Sequence, residues 1–164
     1  MKRLFLLLTC SIAAALPVFA EAEYPKQGPD IYDRQADGFT QISAALEKAK
    51  ATNKRVLVMF GANWCVWCHR LHATFENHET IAAFLRDHYV VVLVDVNSRK
   101  GVKRNAAVNE KYGNPIRHGL PVLVILDTAD HVLVTQETGA LEDGDKAHDP
   151  AKVLAFLKTW ATKR

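Results

Sequence analysis

Two short apolar runs constrain the fold of this chain more than any other feature of its sequence. Residues 56–60 and 89–96, the second rich in valine, each form a nearly continuous apolar stretch. Runs of this length are typical of strands that are buried on both faces, because a strand with one face in water alternates apolar and polar residues. They predict a sheet covered by helices, as in an α/β domain.

The remaining elements alternate with these two strands. We predict a first helix capped by Asp37 and a second helix that carries the cysteines and breaks near Asn77. A weaker helix over 102–112 is expected to stop at Gly113. Strands over 122–126 and 132–138 follow, and a last helix begins after Asp149-Pro150. The apolar stripe of the first helix comprises Phe39, Ile42, Ala45, Leu46 and Ala49. This order predicts an α/β three-layer sandwich, with a central mixed β-sheet flanked by helices. Residues 139–149 are polar and predict a solvated loop.

The N-terminal segment has the pattern of a secretory signal peptide. Lys2 and Arg3 precede an apolar run, and the small residue Ala20 stands before Glu21. This order predicts a cleaved signal peptide over 1–20 and export to the periplasm or outside the cell. Cys10 faintly resembles a lipoprotein processing site, but the residue before it fits poorly and apolar residues continue after it.

Without its first twenty residues, the chain has the size of one ordinary domain. We predict a polar tether over 21–36, which contains prolines and a glycine, followed by one folded domain over 37–164. The signal peptide holds two of the 21 basic residues and none of the acidic ones, which leaves 19 basic against 18 acidic residues. This near neutrality gives no case for binding to nucleic acid.

Two cysteines, Cys65 and Cys68, remain after the signal peptide is removed, in a compartment where thiols can be oxidised. Cys65 follows a buried strand and stands at the start of a helix, where unpaired N–H groups and the helix dipole favour a thiolate. Cys68 lies one turn further on and can resolve a mixed disulfide. This pattern predicts a redox-active disulfide and requires no other cofactor.

Three other interpretations of the pair remain open. A structural disulfide would stabilise the fold little, because it closes a very short loop. Zinc would need further ligands, and His69 and His72 share the helical stripe with the cysteines, but Cys65 and His72 are about 10 Å apart along a helix that rises ~1.5 Å per residue. Cys65 to His69 also matches a haem attachment motif, although strands rather than helices follow it.

The residues Trp64-Cys65-Val66-Trp67-Cys68 after a buried strand, together with Gly119-Leu120-Pro121 before Val122, resemble the thioredoxin superfamily. Within it the chain resembles the C-terminal periplasmic domain of the thiol:disulfide interchange protein and small exported thioredoxin-like proteins. The resemblance implies that the predicted domain over 37–164 is a thioredoxin-like domain, with a cis Pro121 that faces the disulfide. It implies a thiol:disulfide oxidoreductase that acts on exported protein thiols or disulfides.

The sequence departs from the family pattern at three positions. Met59 stands where thioredoxins commonly have a buried Asp, and His72 stands where the interchange-protein domain tends to have an acid. We hypothesise that His72, or else His69, relays protons to Cys68, the alternative being that both histidines are ordinary surface residues. Trp67 occupies the place where strong oxidants often have His, which favours a reducing or intermediate potential.

The flanking residues suggest how a substrate would approach. Trp64 and Trp67 can form an apolar rim for an unfolded substrate, although core packing explains Trp64 equally well. Arg117 and His118 precede Pro121 and flank the site, and the nearby cluster of Lys100, Lys103 and Arg104 predicts a solvated basic loop.

The leading prediction is therefore an exported reductase or isomerase-like protein that an unidentified membrane or periplasmic electron donor reduces again. The alternative from another class is a thioredoxin-fold binding or assembly module without redox turnover.

Overall fold

The computed structural model describes residues 27–162, so the predicted signal peptide, Cys10 and the first part of the predicted tether lie outside the described residues. The helices are α1 (Gly38–Thr52), α2 (Val66–Asn77), α3 (Glu79–His88), α4 (Ala106–Lys111) and α5 (Pro150–Trp160). The strands are β1 (Arg55–Gly61), β2 (Tyr89–Asp95), β3 (Val122–Leu126) and β4 (Val132–Glu137). Among the described residues, no helix has the length and apolar character needed to cross a membrane.

The four strands form one mixed sheet in the order β2-β1-β3-β4. β1 pairs in parallel with β2 and antiparallel with β3, and β3 pairs antiparallel with β4. The two apolar runs that we identified in the sequence are therefore the central strand β1 and its parallel neighbour. Their continuous apolar character is explained by helices on both faces of the sheet.

Alternate side chains of β1 enter two separate cores. Leu57 and Met59 pack with residues of α2, α3 and α5, whereas Val58 and Phe60 pack with residues of α1 and α4. The sheet thus has one helical layer on each face. The predicted three-layer α/β sandwich with a central mixed sheet is confirmed.

Helix boundaries follow the predicted caps at both ends of the domain. The Asp37 carboxylate accepts the backbone N–H of Thr40 at 2.8 Å at the start of α1, and Asp149 caps α5 through the N–H groups of Ala151 and Lys152. The predicted break near Asn77 is also present, because α2 ends there and α3 begins at Glu79. Phe39, however, is 41% exposed and does not belong to the buried stripe of α1.

The predicted helix over 102–112 is wrong in its first part, because α4 begins only at Ala106. Residue Asn105 adopts a left-handed backbone conformation, with φ of 49°. Its side-chain amide donates to the carbonyl of Asp95 and accepts the N–H of Gly38. Asn105 therefore ties β2 to α1, and this bridge keeps the preceding residues out of a helix.

Two segments that the polar composition assigned to solvent contribute to the core. Within the predicted tether, Tyr32 is only 2% exposed and packs with the core residues next to the cysteines. Within the predicted loop over 139–149, Leu141 and His148 are buried. Both expectations fail for the same reason: one or two buried side chains anchor a segment whose other residues are polar.

Candidate active site

The two cysteines lie where β1 passes into α2. Cys65 is the residue that caps α2, and its Sγ accepts the backbone N–H of Cys68 at 3.1 Å. Both thiols are free, Cys65 is 5% exposed and Cys68 is fully buried. The helix start therefore holds the two sulfur atoms one turn apart and exposes only the first.

Several donors stabilise a negative charge on Cys65. A hydrogen bond from the Cys68 side chain lowers the pKa of Cys65, and the backbone N–H groups of Cys68 and Trp67 and the positive charge of Arg99 lower it further, against the effect of burial. A lowered pKa increases the thiolate fraction, and the thiolate is the nucleophile. Of the two thiols, Cys65 is therefore the one whose surroundings favour the thiolate.

Cys68 has the opposite surroundings. Burial raises the pKa of Cys68 far above its ordinary value, and the hydrogen bond and charge of Cys65 act in the same direction. The reduced pair thus consists of an activated outer sulfur and an inner sulfur that keeps its proton.

The buried inner sulfur lies against a residue that the sequence analysis missed, Tyr32. A Cβ added to Gly61 would lie 2.6 Å from Sγ of Cys68 and closer still to the hydroxyl oxygen of Tyr32, so the two atoms share the space above this glycine. Only a glycine permits this approach, because any side chain at position 61 would displace one of the two groups. The apolar pair Ile31-Tyr32 in an otherwise polar stretch was the signal in the sequence that could have indicated it.

Asn63 holds the segment that carries Tyr32. Its side-chain oxygen accepts the backbone N–H groups of Ile31 and Tyr32 at 2.9 and 2.8 Å, and its side-chain nitrogen donates to the carbonyl of Tyr32 at 2.9 Å. One buried amide therefore fixes the N-terminal segment beside the cysteines.

Each active-site tryptophan is half-buried and carries an arginine over its ring. Trp64 donates from Nε1 to the side-chain oxygen of Asn97 at 2.8 Å, and the guanidinium carbon of Arg99 lies 3.4 Å from the ring centre. The guanidinium of Arg70 lies 4.5 Å from the ring centre of Trp67, which also meets the buried ring of His148 edge-on at 5.5 Å. The predicted apolar rim is therefore partly cationic, and Trp64 serves packing as well.

The Leu120–Pro121 peptide bond is cis, as the resemblance implies. The register of the central strands pairs Phe60 with Val122, which places Pro121 beside the end of β1. The carbonyl of Pro121 accepts the buried hydroxyl of Thr138 at 2.7 Å. The proline loop and the start of α2 thus lie at the same edge of the sheet.

The two histidines of the hypothesised relay have other neighbours. Nε2 of His69 donates to the backbone carbonyl of Asn63 at 2.9 Å, so this nitrogen is already engaged in a contact that a haem iron would have to displace. His72 lines a groove formed with Phe75, Leu85 and other residues, and neither cysteine lines that groove. Neither imidazole is hydrogen-bonded to Cys68 in the described part of the chain, and the relay stays a hypothesis without a contact to support it.

The predicted basic residues divide into two groups. Arg117 and His118 are exposed and contact each other just before the proline loop. Arg104, by contrast, is half-buried and pairs with the buried carboxylate of Asp95 at 3.4 Å, so it does not belong to a solvated loop. Between residues 27 and 162, no three His, Cys, Asp or Glu side chains are grouped so that they could hold a metal ion.

Comparisons with known proteins agree with this architecture. A family model described as thioredoxin-like matches residues 38–128, more than half of the chain. A solved structure of a disulphide isomerase from Xylella fastidiosa Temecula1 is 32% identical, covers 79% of this chain and 95% of its own, and has a TM-score of 0.68. The oxidised C-terminal domain of DsbD from Neisseria meningitidis has a TM-score of 0.53 at 17% identity, over 76% of this chain and 96% of its own, and is similar in fold.

Among curated proteins, spermatogenesis-associated protein 20 from Mus musculus is 32% identical over 60 residues, which is 37% of this chain. The chain spans only 8% of the length of that relative. The family match covers the segment that contains β1, the cysteine pair and β2. On this evidence the chain belongs to the thioredoxin-like family.

Proposed function

We propose that this protein is an exported thiol:disulfide oxidoreductase that exchanges disulfides through Cys65 and Cys68, as a reductase or isomerase-like component. One observation carries the proposal: the two thiols are held one helical turn apart with opposite pKa shifts, Cys65 lowered by hydrogen bonds and Cys68 raised by burial. A structural pair has no need of this asymmetry. The similarity to a structure described as a disulphide isomerase supports the same class of reaction.

The reaction follows from the two environments. The Cys65 thiolate attacks one sulfur of a substrate disulfide, forms a mixed disulfide and releases the other substrate sulfur as a thiolate, which takes up a proton. Cys68 then attacks Sγ of Cys65 and releases the second substrate thiol. The products are a reduced substrate and an oxidised Cys65–Cys68 pair, and the same steps run in reverse would oxidise a dithiol.

The direction of electron flow depends on the reduction potential. Trp67 precedes the inner cysteine, and an indole ring has no charged donor with which to stabilise the Cys65 thiolate. Less stabilisation of the reduced form favours a reducing or intermediate potential over a strongly oxidising one. A reductase of this kind needs a donor that restores its dithiol, and we propose a membrane or periplasmic electron donor.

The compartment and the substrates belong to the same proposal. The basic, apolar and small-residue pattern of residues 1–20 supports export, and exported proteins are where stable disulfides occur. The half-buried rings of Trp64 and Trp67 beside the proline loop support an extended or unfolded protein chain as the substrate.

The test is a redox titration of the purified protein against glutathione, with thiol trapping at each ratio. A reversible two-electron couple near −270 mV, the value of thioredoxin, supports the reductase, whereas a value near −120 mV would make the protein a disulfide donor. The absence of a reversible couple would contradict the redox proposal and leave the binding module as the better account.

Single cysteine variants test the separate roles of Cys65 as the attacking thiol and Cys68 as the resolving thiol. Cys68→Ser should accumulate a mixed disulfide with a disulfide substrate, whereas Cys65→Ser should form none. Serine also caps helices well, so α2 keeps its cap in Cys65→Ser. Val66→Ala is the matched control, because this exposed residue lies between the cysteines and carries no thiol.

A further inference from the structure

Tyr32 carries a buried polar atom that no structural role explains. Its side chain is 2% exposed, and the hydroxyl has no hydrogen-bond partner among the described residues. A buried hydroxyl without a partner destabilises a fold, so most such groups are paired. The position of Tyr32 beside Cys68 suggests a partner that arises only during the reaction.

The geometry places this hydroxyl against the inner sulfur. A Cβ placed on Gly61 would lie 2.6 Å from Sγ of Cys68 and even closer to the hydroxyl oxygen of Tyr32. The sulfur and the hydroxyl oxygen are therefore separated by less than twice 2.6 Å. Asn63 binds the backbone of Ile31 and Tyr32 on both sides, so the phenol enters the site from a fixed point. No large rearrangement is needed to bring the O–H group onto the sulfur.

We propose that the hydroxyl of Tyr32 donates a hydrogen bond to the thiolate of Cys68 when this sulfur attacks Cys65 in the resolving step. The inference rests on the proposed function. Tyr32 is then a catalytic residue supplied by the segment before α1, and the chain uses it where thioredoxins commonly place a buried Asp. Here that position is Met59, whose side chain cannot move a proton.

The resolving step shows why such a donor is needed. Cys68 loses its proton and attacks Sγ of Cys65, the bond between Cys65 and the substrate sulfur breaks, and the electron pair of that bond remains on the departing sulfur. The proton from Cys68 ends on the substrate thiol, so the step balances without another reactant. The difficult species is the buried Cys68 thiolate, because burial strongly disfavours its charge.

Tyr32 can donate but not act as a base. Burial raises the pKa of Tyr32 well above its ordinary value, and the neighbouring charges of Cys68, Cys65 and Asp95 raise it further. The phenol therefore keeps its proton at every working pH. A hydrogen bond to a charged group is stronger than one between neutral groups, so the bond forms most strongly when Cys68 becomes a thiolate.

The experiment separates the two thiols in time with an aromatic disulfide, 5,5′-dithiobis(2-nitrobenzoate). All proteins in this experiment carry Cys10→Ser, so that Cys65 and Cys68 are the two thiols of the chain. The reduced protein releases one coloured thiol when Cys65 attacks and a second when Cys68 resolves the mixed disulfide, and stopped-flow absorbance resolves the two phases. Tyr32→Phe should slow the second phase about tenfold, as expected for the loss of a hydrogen bond to a charged group. The first phase should stay within about twofold of the wild type.

Tyr89→Phe is the matched control. Its hydroxyl is also buried but donates to the carbonyl of Leu157 at 2.7 Å, so removing it perturbs the same core without touching Cys68. This variant should leave both phases unchanged. An equal second phase in Tyr32→Phe and the wild type, at several pH values, would overturn the inference.

A second measurement does not depend on the stability of the variant. Replacing tyrosine throughout by a fluorinated tyrosine lowers the pKa of the phenol and strengthens it as a donor, so the second phase should become faster in the wild type and not in Tyr32→Phe. If the wild type releases only one coloured thiol, the proposed function itself fails. Two phases whose rates do not depend on Tyr32 would instead contradict only the role inferred for Tyr32.

Discussion

The two sulfur atoms differ in their surroundings far more than their spacing implies. Cys65 receives hydrogen bonds at the open start of α2, whereas Cys68 is enclosed by the core and lies against Tyr32 and Gly61. The side chain of Cys68 is also the largest cause of the lowered pKa of Cys65. The reactivity of the outer thiol therefore depends on the chemical nature of the inner residue.

Replacing Cys68 by alanine should raise the pKa of Cys65, because the variant loses the side-chain donor that lowers this pKa most. Alkylation of Cys65 by iodoacetamide, followed as a function of pH, should show its midpoint below the ordinary value of 9.0 in the wild type and a higher midpoint in Cys68→Ala. Cys68→Ser is the control, since its hydroxyl still donates. Equal midpoints in all three proteins would disprove this account of activation.

His148 should make the protein sensitive to acid. Burial lowers the pKa of His148 to about 4 from 6.5, and neither ring nitrogen has a hydrogen-bond partner among the described residues. Between these two pH values the unfolded chain binds a proton that the folded protein does not, so stability falls as the pH falls from 6.5 to 4. The loss should amount to about 1–3 kcal/mol.

Urea unfolding at pH 7 and pH 4.5 measures this loss. Asp37, Asp127 and Asp143 also have lowered pKa values and lose stability in acid, so the comparison must be between variants. His148→Leu should lose less stability than the wild type over this interval, and His78→Leu, which removes an exposed histidine whose side chain makes no capping hydrogen bond, should lose as much as the wild type. Equal losses in His148→Leu and the wild type would contradict the prediction.

At the scale of the elements, prediction from sequence succeeded where local signals agree with the fold. The apolar runs of β1 to β3 and the capping carboxylates of α1 and α5 need no information from distant residues. The predicted start of α4 was wrong because the side chain of Asn105 forms hydrogen bonds with the backbone of Asp95 in β2 and of Gly38 in α1. Neither residue is a sequence neighbour of Asn105. Such a bridge overrides the helical preference of the residues around it.

The cap of α5 can be tested separately from the site. The Asp149 side chain accepts the N–H groups of Ala151 and Lys152 at 2.8 and 3.3 Å. Asp149→Ala should lower the free energy of unfolding by about 1 kcal/mol, the usual loss when a capping side chain is removed. Asp149→Asn retains an accepting oxygen and should stay near the wild type in urea unfolding, and a loss as large as that of the alanine variant would show that charge rather than capping matters.

At the scale of the whole molecule, the site draws on three parts of the chain that are distant in sequence. The start of α2 supplies the thiols, the loop before β3 supplies the cis proline, and the segment before α1 supplies Tyr32. The thiols could be predicted from their place after a recognisable strand, and the cis proline from the resemblance to the thioredoxin superfamily. The sequence concealed the third, since a single buried aromatic in a polar segment has no periodicity and its partner, Asn63, is 31 residues away.

Removal of the N-terminal segment should therefore destabilise the domain even though α1 and the sheet remain. A chain that begins at residue 36 lacks Ile31 and Tyr32, loses a buried aromatic side chain, and leaves the buried amide of Asn63 without its three backbone partners. Loss of a large buried aromatic side chain alone costs about 3–5 kcal/mol. Urea unfolding of chains that begin at residues 27 and 36 should differ by at least that amount, whereas a true tether would give equal stabilities. Asn63→Ala in the longer chain should reproduce part of the loss, because it releases the same segment without deleting Tyr32.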